Sequence, residues 1–260
     1  MANLKVKDLQ LKVTDRILCE SLNVEIATGE TWAILGKNGA GKTTLLHTLA
    51  GLLPEQINNS SQADIRLNNE SILNQSRQII AKQLGILLQD FQDIFPASVL
   101  DTALIGRHPH LKAWQWPDNN DIAVVKDLLK QMELQDYEQR DITSLSGGER
   151  RRLGLVTLLS QQTEILLLDE PVNHLDIAHQ HQLLKYLTAD TFKQQHAVTM
   201  VLHDINLANQ YCDHVLLMYE NGKTKAGIAS DLLTAENLTE VYGYPITKIT
   251  DNGNSVFIAS

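Results

Sequence analysis

The sequence predicts an α/β fold, with a mostly parallel sheet covered by helices on both faces, an antiparallel β part at the N-terminus and a helical subdomain inserted between strands. Three observations carry this. Short runs that are apolar throughout recur along the chain: TWAIL at 31–35, GILL at 85–88, ILLL at 165–168, AVTMVL at 197–202 and HVLLMY at 214–219. Strands buried on both faces read this way. The first 30 residues alternate instead, with Leu4, Val6, Leu9, Leu11 and Val13 apolar between polar neighbours, as half-buried antiparallel strands do. Between residues 91 and 159 the pattern turns helical.

Taken in order, the first buried strand follows Gly29, and a helix begins at Lys42 and stops near Gly51 and Pro54. Residues 55–84 are polar and Asn-rich, with short apolar pieces such as 65–67. In the insert, Ile122, Val125, Leu129 and Met132 fall at i, i+3, i+7 and i+10, which places one apolar stripe on a helix. A helix is expected from about Ile177 and a short one near 205–210. Asn221-Gly222 is a hairpin signal, so the sheet edge is expected to finish antiparallel. The chain divides into a domain over 1–230, with its helical subdomain at about 91–160, and a short extension over 231–260 that carries one helix-like piece and no informative chemistry.

Composition narrows the function. With 43% hydrophobic residues, 20% charged residues and 6 prolines, the 260-residue chain is long and apolar enough to bury a sizeable core. A net charge of -9 argues against whole-surface attraction to nucleic acid or anionic lipid, leaving room only for a local basic patch. Cys19 and Cys212 have neither metal nor redox spacing and read as reduced thiols. The N-terminus lacks the continuous apolar stretch of a signal peptide, and no apolar run approaches the ~18 residues of a spanning helix.

The chemistry concentrates where strands end. GKNGAGKTT at 36–44 fits the phosphate-loop pattern G-x-x-x-x-G-K-[ST] and lies between a buried strand and a helix, as its mechanism requires. Its backbone amides, from Gly36, Lys37, Asn38, Gly39, Ala40 and Gly41 through to Thr44, are expected to cradle phosphates. Lys42 is expected to reach the β- and γ-phosphates of ATP, and the Thr43 hydroxyl to bind Mg²⁺. ILLLDEP at 165–171 ends a buried strand in two carboxylates, suiting Asp169 to Mg²⁺ and Glu170 to polarising the attacking water. His203 ends MVLHD and Gln89 ends GILLQ, which puts an imidazole and an amide at the same sheet edge if the strands are parallel. His179 and His181, two apart on one helix, point to different faces and make a poor metal pair. The segment RHPHLKAWQWP at 107–117 reads either as an exposed, partly packed loop or as a partner-contact surface.

Together, GKNGAGKTT, Gln89, LSGGE at 145–149, LLLDEP, NHLD at 173–176 and His203 resemble, in order and spacing, the ATP-binding cassette (ABC) ATPases over about residues 3–230. The resemblance implies a RecA-like P-loop NTPase core and a homodimer closed head to tail around two ATP molecules. Each ATP would lie between one P-loop and the Ser146, Gly147 and Gly148 of the second copy, with Asp176 across the interface. Ser146 and two glycines at a helix start suit a γ-phosphate on physical grounds as well. GRHPHL, DEPVNHLD and LLTAENLTEVYGYPI resemble more narrowly the ATPases of bacterial importers for iron-siderophore, haem and cobalamin. Such a subunit sits peripherally on the cytoplasmic face of the inner membrane. Its partners are permease subunits, received around residues 91–104, and indirectly a substrate-binding protein; nucleic acid is not among them.

Three departures stand out. Around Val13 no aromatic residue is present to stack adenine, which leaves aliphatic contact. Glu149 replaces the commoner Gln, which is expected to alter a local hydrogen bond more than the phosphate contacts. Val172 replaces Thr at an expected buried position. The competing readings are a soluble scaffold ATPase that clamps a cytosolic partner, and a nucleotide-binding regulator without turnover. The complete set of Lys42, Asp169, Glu170 and His203 speaks against the regulator.

Overall fold

The computed structural model describes residues 2–13, 15–58, 63–89, 96–112, 114–251 and 254–260. The N-terminal alternation becomes two long antiparallel strands, β1 (Asn3–Val13) and β2 (Arg16–Ala27). Its phase slips by one residue, since Leu4 and Val6 and then Leu9 and Leu11 are all buried. A one-residue slip would turn half of these outward, so the register shifts between Val6 and Leu9 and Asp8 takes a left-handed φ of 46°.

Next come β3 (Thr31–Gly36), α1 (Lys42–Leu49), α2 (Pro54–Asn58), β4 (Asp64–Leu67), β5 (Glu70–Ser71), α3 (Arg77–Gln83) and β6 (Leu84–Leu87). The helical insert supplies α4 (Val99–Leu104), α5 (Asn119–Gln131) and α6 (Gly147–Ser160), joined through short 3-10 turns. Val125, Leu129 and Met132 are buried as the stripe predicts, with Ile122 half-buried at its edge. The remaining elements are β7 (Ile165–Asp169), α7 (Ile177–Thr188), α8 (Asp190–Lys193), β8 (Ala197–Val201), α9 (Ile205–Tyr211), β9 (His214–Met218), β10 (Thr224–Ile228), α10 (Ala229–Leu232), α11 (Ala235–Tyr242), β11 (Ile246–Asp251) and β12 (Asn254–Ala259).

The central sheet has the order β10-β9-β3-β8-β7-β6, parallel throughout except for β10, which returns antiparallel beside β9 after the Asn221-Gly222 turn. Each parallel strand serves two cores, which is why its sequence is apolar throughout. Trp32, Ile34, Leu167 and Leu216 face α1 and the antiparallel sheet β2-β1-β4-β5. Ala33, Leu168, Met200 and Leu217 face the helical insert. Because the strands run the same way, the residues after β3, β6, β7 and β8 emerge along a single carboxyl edge.

The tail is richer than its sequence suggested. Besides α11 it forms an antiparallel hairpin, β11 with β12, and Leu233, Leu238, Val241 and Phe257 join the same core as the insert. Alternation across two short strands, only one of whose faces is anchored, is a weak signal, and this accounts for the omission.

Candidate active site

The first phosphate-loop residues continue β3 out of the sheet, and α1 starts at Lys42. Gly41 caps α1 with a φ of 96°, in the left-handed region, where a side chain would also meet Leu18 Cδ1 at 2.8 Å. The Lys42 ammonium folds onto its own loop, donating to the carbonyls of Gly36 at 2.8 Å and Lys37 at 3.0 Å. Burial pushes its pKa down, opposed by the nearby Glu170 and Asp169 carboxylates. An ammonium held by neutral carbonyls between two acids is poised to exchange those carbonyls for phosphate oxygens.

Asp169 ends β7 fully buried, and among the described residues its carboxylate meets no hydrogen-bonding group besides the nearby Thr43 hydroxyl. Desolvation raises its pKa, with the Thr43 hydroxyl opposing the rise. A buried carboxylate facing a threonine hydroxyl fits a hard divalent cation such as Mg²⁺. No cluster of three His, Cys, Asp or Glu residues able to hold a metal occurs among the described residues, so such an ion would draw its remaining ligands from the Gln89 amide, phosphate and water.

Glu170 follows at a φ of 51°, an uncommon backbone for a glutamate, and its carboxylate is fully engaged. Oε1 lies 2.6 Å from His203 Nε2, and Oε2 accepts from the Gln89 amide at 3.2 Å and from Asn173 Nδ2. Three strand ends thus converge on one carboxylate. A cavity of about 500 Å³ opens above them, lined by Val13, Arg16, Leu18, Asn38, Gly39, Lys42, Thr43, Thr44, Gln89, Glu170 and His203.

Ser146, Gly147 and Gly148 do not line this cavity. Ser146 caps α6, accepting from the Glu149 amide at 3.3 Å, while Glu149 accepts from the Ser146 amide at 2.7 Å. That reciprocal cap is the local hydrogen bond expected to feel the Glu149 departure, and it holds the Glu149 carboxyl below its usual range. His174 rests against Gly147, 3.7 Å from where a Cβ would stand. Asp176 caps α7 and is held by His179, whose Nδ1 lies 2.8 Å away; His181 pairs instead with the Tyr211 hydroxyl. Val172 is buried as expected.

Sequence reasoning missed three contributors. The buried Arg151 guanidinium on α6 donates to the carbonyls of Leu88, Gln89, Asp169 and Pro171, tying the ends of β6 and β7 to the signature helix. In LSGGERRR it is one arginine among three, and nothing in the pattern singles it out. Asn173 lay inside NHLD without an assigned partner, and Arg16 enters the cavity beside Val13. Of the insert's surface, residues 91–95 lie outside the described residues. Trp114 and Trp116 of the 107–117 loop are 100% and 87% exposed, the most exposed large apolar side chains described.

A phosphate loop at the centre of a parallel sheet, with acids, an amide and an imidazole at the neighbouring strand ends, defines a P-loop ATPase. Residues 19–173 match the ABC transporter family, and the chain belongs to it, as an ATP-hydrolysing subunit. It is 32% identical to the iron(3+)-hydroxamate import ATP-binding protein FhuC of Bacillus subtilis (strain 168), over 96% of this chain and 91% of that protein. It is 35% identical to the hemin import ATP-binding protein HmuV of Escherichia coli O157:H7, over 96% of each chain. Among solved structures, an inward-facing metal-chelate type ABC transporter superposes with a TM-score of 0.82 at 27% identity, covering 100% of this chain and 98% of that one. No helix among the described residues is long and apolar enough to cross a membrane.

Proposed function

We propose that the chain is the ATP-driven subunit of a bacterial importer for a metal chelate, a ferric siderophore or haem, with cobalamin the alternative cargo. It works as a homodimer on the cytoplasmic face of the inner membrane, beneath separate permease subunits fed by a substrate-binding protein. The names of its similar proteins, which import iron-hydroxamate and hemin, support this class of cargo.

The observation that carries the mechanism is the convergence of Gln89, Asn173 and His203 on Glu170, beside Lys42 and Asp169. Lys42 and the amides of 36–44 hold the β- and γ-phosphates. Asp169 and Thr43, with the Gln89 side-chain amide oxygen, would hold Mg²⁺, which would neutralise charge on the phosphate oxygens. Glu170 orients the attacking water and takes its proton as the bond from the γ-phosphorus to the ADP oxygen breaks. His203 and Asn173 fix the carboxylate for this task, and His203 donates toward the γ-phosphate. Val13, Leu18 and the Arg16 guanidinium form the wall against adenine, replacing the absent aromatic. Ser146, Gly147 and Gly148 complete the site of the second copy.

The test is Mg²⁺-dependent hydrolysis by purified protein. Glu170→Gln is expected to bind ATP with unchanged affinity and lose turnover by about 100-fold or more; a variant that hydrolyses at the wild-type rate would refute the role. Co-purification with membrane subunits and uptake of ferric siderophore, haem or cobalamin in reconstituted vesicles assigns the cargo, whereas a purely soluble complex would favour the scaffold reading.

A further inference from the structure

The C-terminal extension is bonded to the helix that follows His203 at one end and packs against the phosphate loop at the other. Asn206, the second residue of α9, pairs its side-chain amide with the backbone of Phe257 on β12: Nδ2 donates to the Phe257 carbonyl at 3.1 Å, and Oδ1 accepts from the Phe257 amide at 2.8 Å. Both bonds are satisfied in only one orientation of the amide, so the pairing works like a fragment of strand ladder. One turn later, Asn209 Nδ2 donates to the Ser255 carbonyl at 2.9 Å. Phe257 is buried in the core, so the hairpin is an anchored partner. The helix these amides hold begins at the Asp204 cap, directly after His203.

At the other end, α11 closes on Gly243, in the left-handed region at a φ of 62°. A Cβ there would stand 2.8 Å from Lys37 Nζ, in the phosphate loop. The Lys37 ammonium, which pairs with Glu220 at 2.9 Å, thus packs against the C-terminal cap of α11. Tyr242, the last residue of α11, has its hydroxyl buried without a hydrogen-bond partner, and burial with the nearby Asp204 carboxylate pushes it up to about 12.

We infer that α11 and the β11–β12 pair, over residues 235–251 and 254–259, form a positioning clasp for ATP hydrolysis, in which the Asn206 amide and β12 set the backbone that aims His203 at Glu170. Asn206 is a positioning residue: it touches neither nucleotide nor Glu170 and acts through the His203 segment. This rests on the proposed role of His203 in turnover.

The experiment is a double-mutant cycle on the full chain: Asn206→Leu, His203→Ala and the pair, read as kcat and KM for Mg²⁺-ATP together with the melting temperature. The expected result is that Asn206→Leu lowers kcat by about tenfold with KM unchanged, since a misplaced catalytic group costs up to ~10²-fold. The pair should be no slower than His203→Ala alone. Asn209→Ala, which gives up only the bond to Ser255, should show a smaller loss of the same kind and keeps the test available if Asn206→Leu does not fold. Wild-type turnover in the asparagine variants with a slow His203→Ala, or losses that multiply in the pair, would overturn the clasp alone. Wild-type turnover in His203→Ala would overturn the role of His203 and the clasp with it.

Discussion

Arg151 shows how much of the site depends on one buried side chain. Its guanidinium, 7% exposed, is the donor for carbonyls at the ends of two catalytic strands, so replacing it strands buried acceptors rather than merely deleting a charge. Arg151→Ala is expected to destabilise the chain by about 3 kcal/mol, at ~1–3 kcal/mol for each unsatisfied buried group, as read by denaturant unfolding. Unchanged stability would contradict the network. Arg16 is the opposite case, an exposed guanidinium at the mouth of the cavity, 3.8 Å from the Cβ position of Gly39. Arg16→Ala should weaken ATP binding about fivefold, ~1 kcal/mol of cation–π contact, without lowering the melting temperature; ATP titration by fluorescence checks it. Arg151 was illegible in the sequence for a physical reason. Lys42, Asp169 and Glu170 sit in patterns that only phosphate chemistry explains, whereas an arginine's partners are backbone atoms that the fold alone brings near.

At the scale of elements, the helices of the insert are tied to one another by a buried ion pair. Arg107 Nε lies 2.8 Å from Asp121 Oδ1, both side chains are 10% exposed, and the same guanidinium donates to the Ser160 carbonyl and the Gln162 amide oxygen, each at 2.7 Å. Burial alone would raise the Asp121 pKa, but the Arg107 hydrogen bond, the Asp118 backbone amide and the charges of Arg107 and His110 together outweigh it, and the carboxyl ends below its usual range. A pKa depressed on folding gives stability that is fully present above the unfolded value and is lost as pH falls through the folded one. Thermal scans should therefore show the Arg107–Asp121 contribution down to the ordinary aspartate range and its loss at more acid pH. Arg107→Ala should cost about 3–5 kcal/mol at neutral pH, the usual penalty for an orphaned buried charge; a change under about 1 kcal/mol would contradict it. The strands, by contrast, were plain in the sequence, because a run buried on both faces must be apolar at every position. The tail hairpin escaped notice although Asn252-Gly253 is a two-residue turn signal, because one of its faces leaves Ile249, Val256 and Ile258 partly exposed and so has no polar alternation to read.

On the scale of the whole molecule, the parallel sheet gathers four strand ends at one edge and leaves Ser146, Gly147 and Gly148 outside the cavity those ends line. A signature loop that caps its own helix yet, among the described residues, lines no phosphate cavity in its own chain would be completed by the proposed second copy. The two cysteines report on the integrity of this architecture. Both are buried and free, and burial pushes Cys19 up to about 11 and Cys212 up to about 12. At pH 8 only about one Cys19 thiol in a thousand is ionised, so alkylation should be negligible until the chain unfolds; fast labelling of the native protein would contradict the packing. The assembly itself is best tested by sedimentation velocity of Glu170→Gln, with and without ATP and Mg²⁺, alone and combined with Ser146→Arg. Two phosphate half-sites shared between copies predict a dimer only in the presence of ATP and only with Ser146 intact. A monomer under every condition, or a dimer indifferent to both ATP and Ser146, would contradict the composite site.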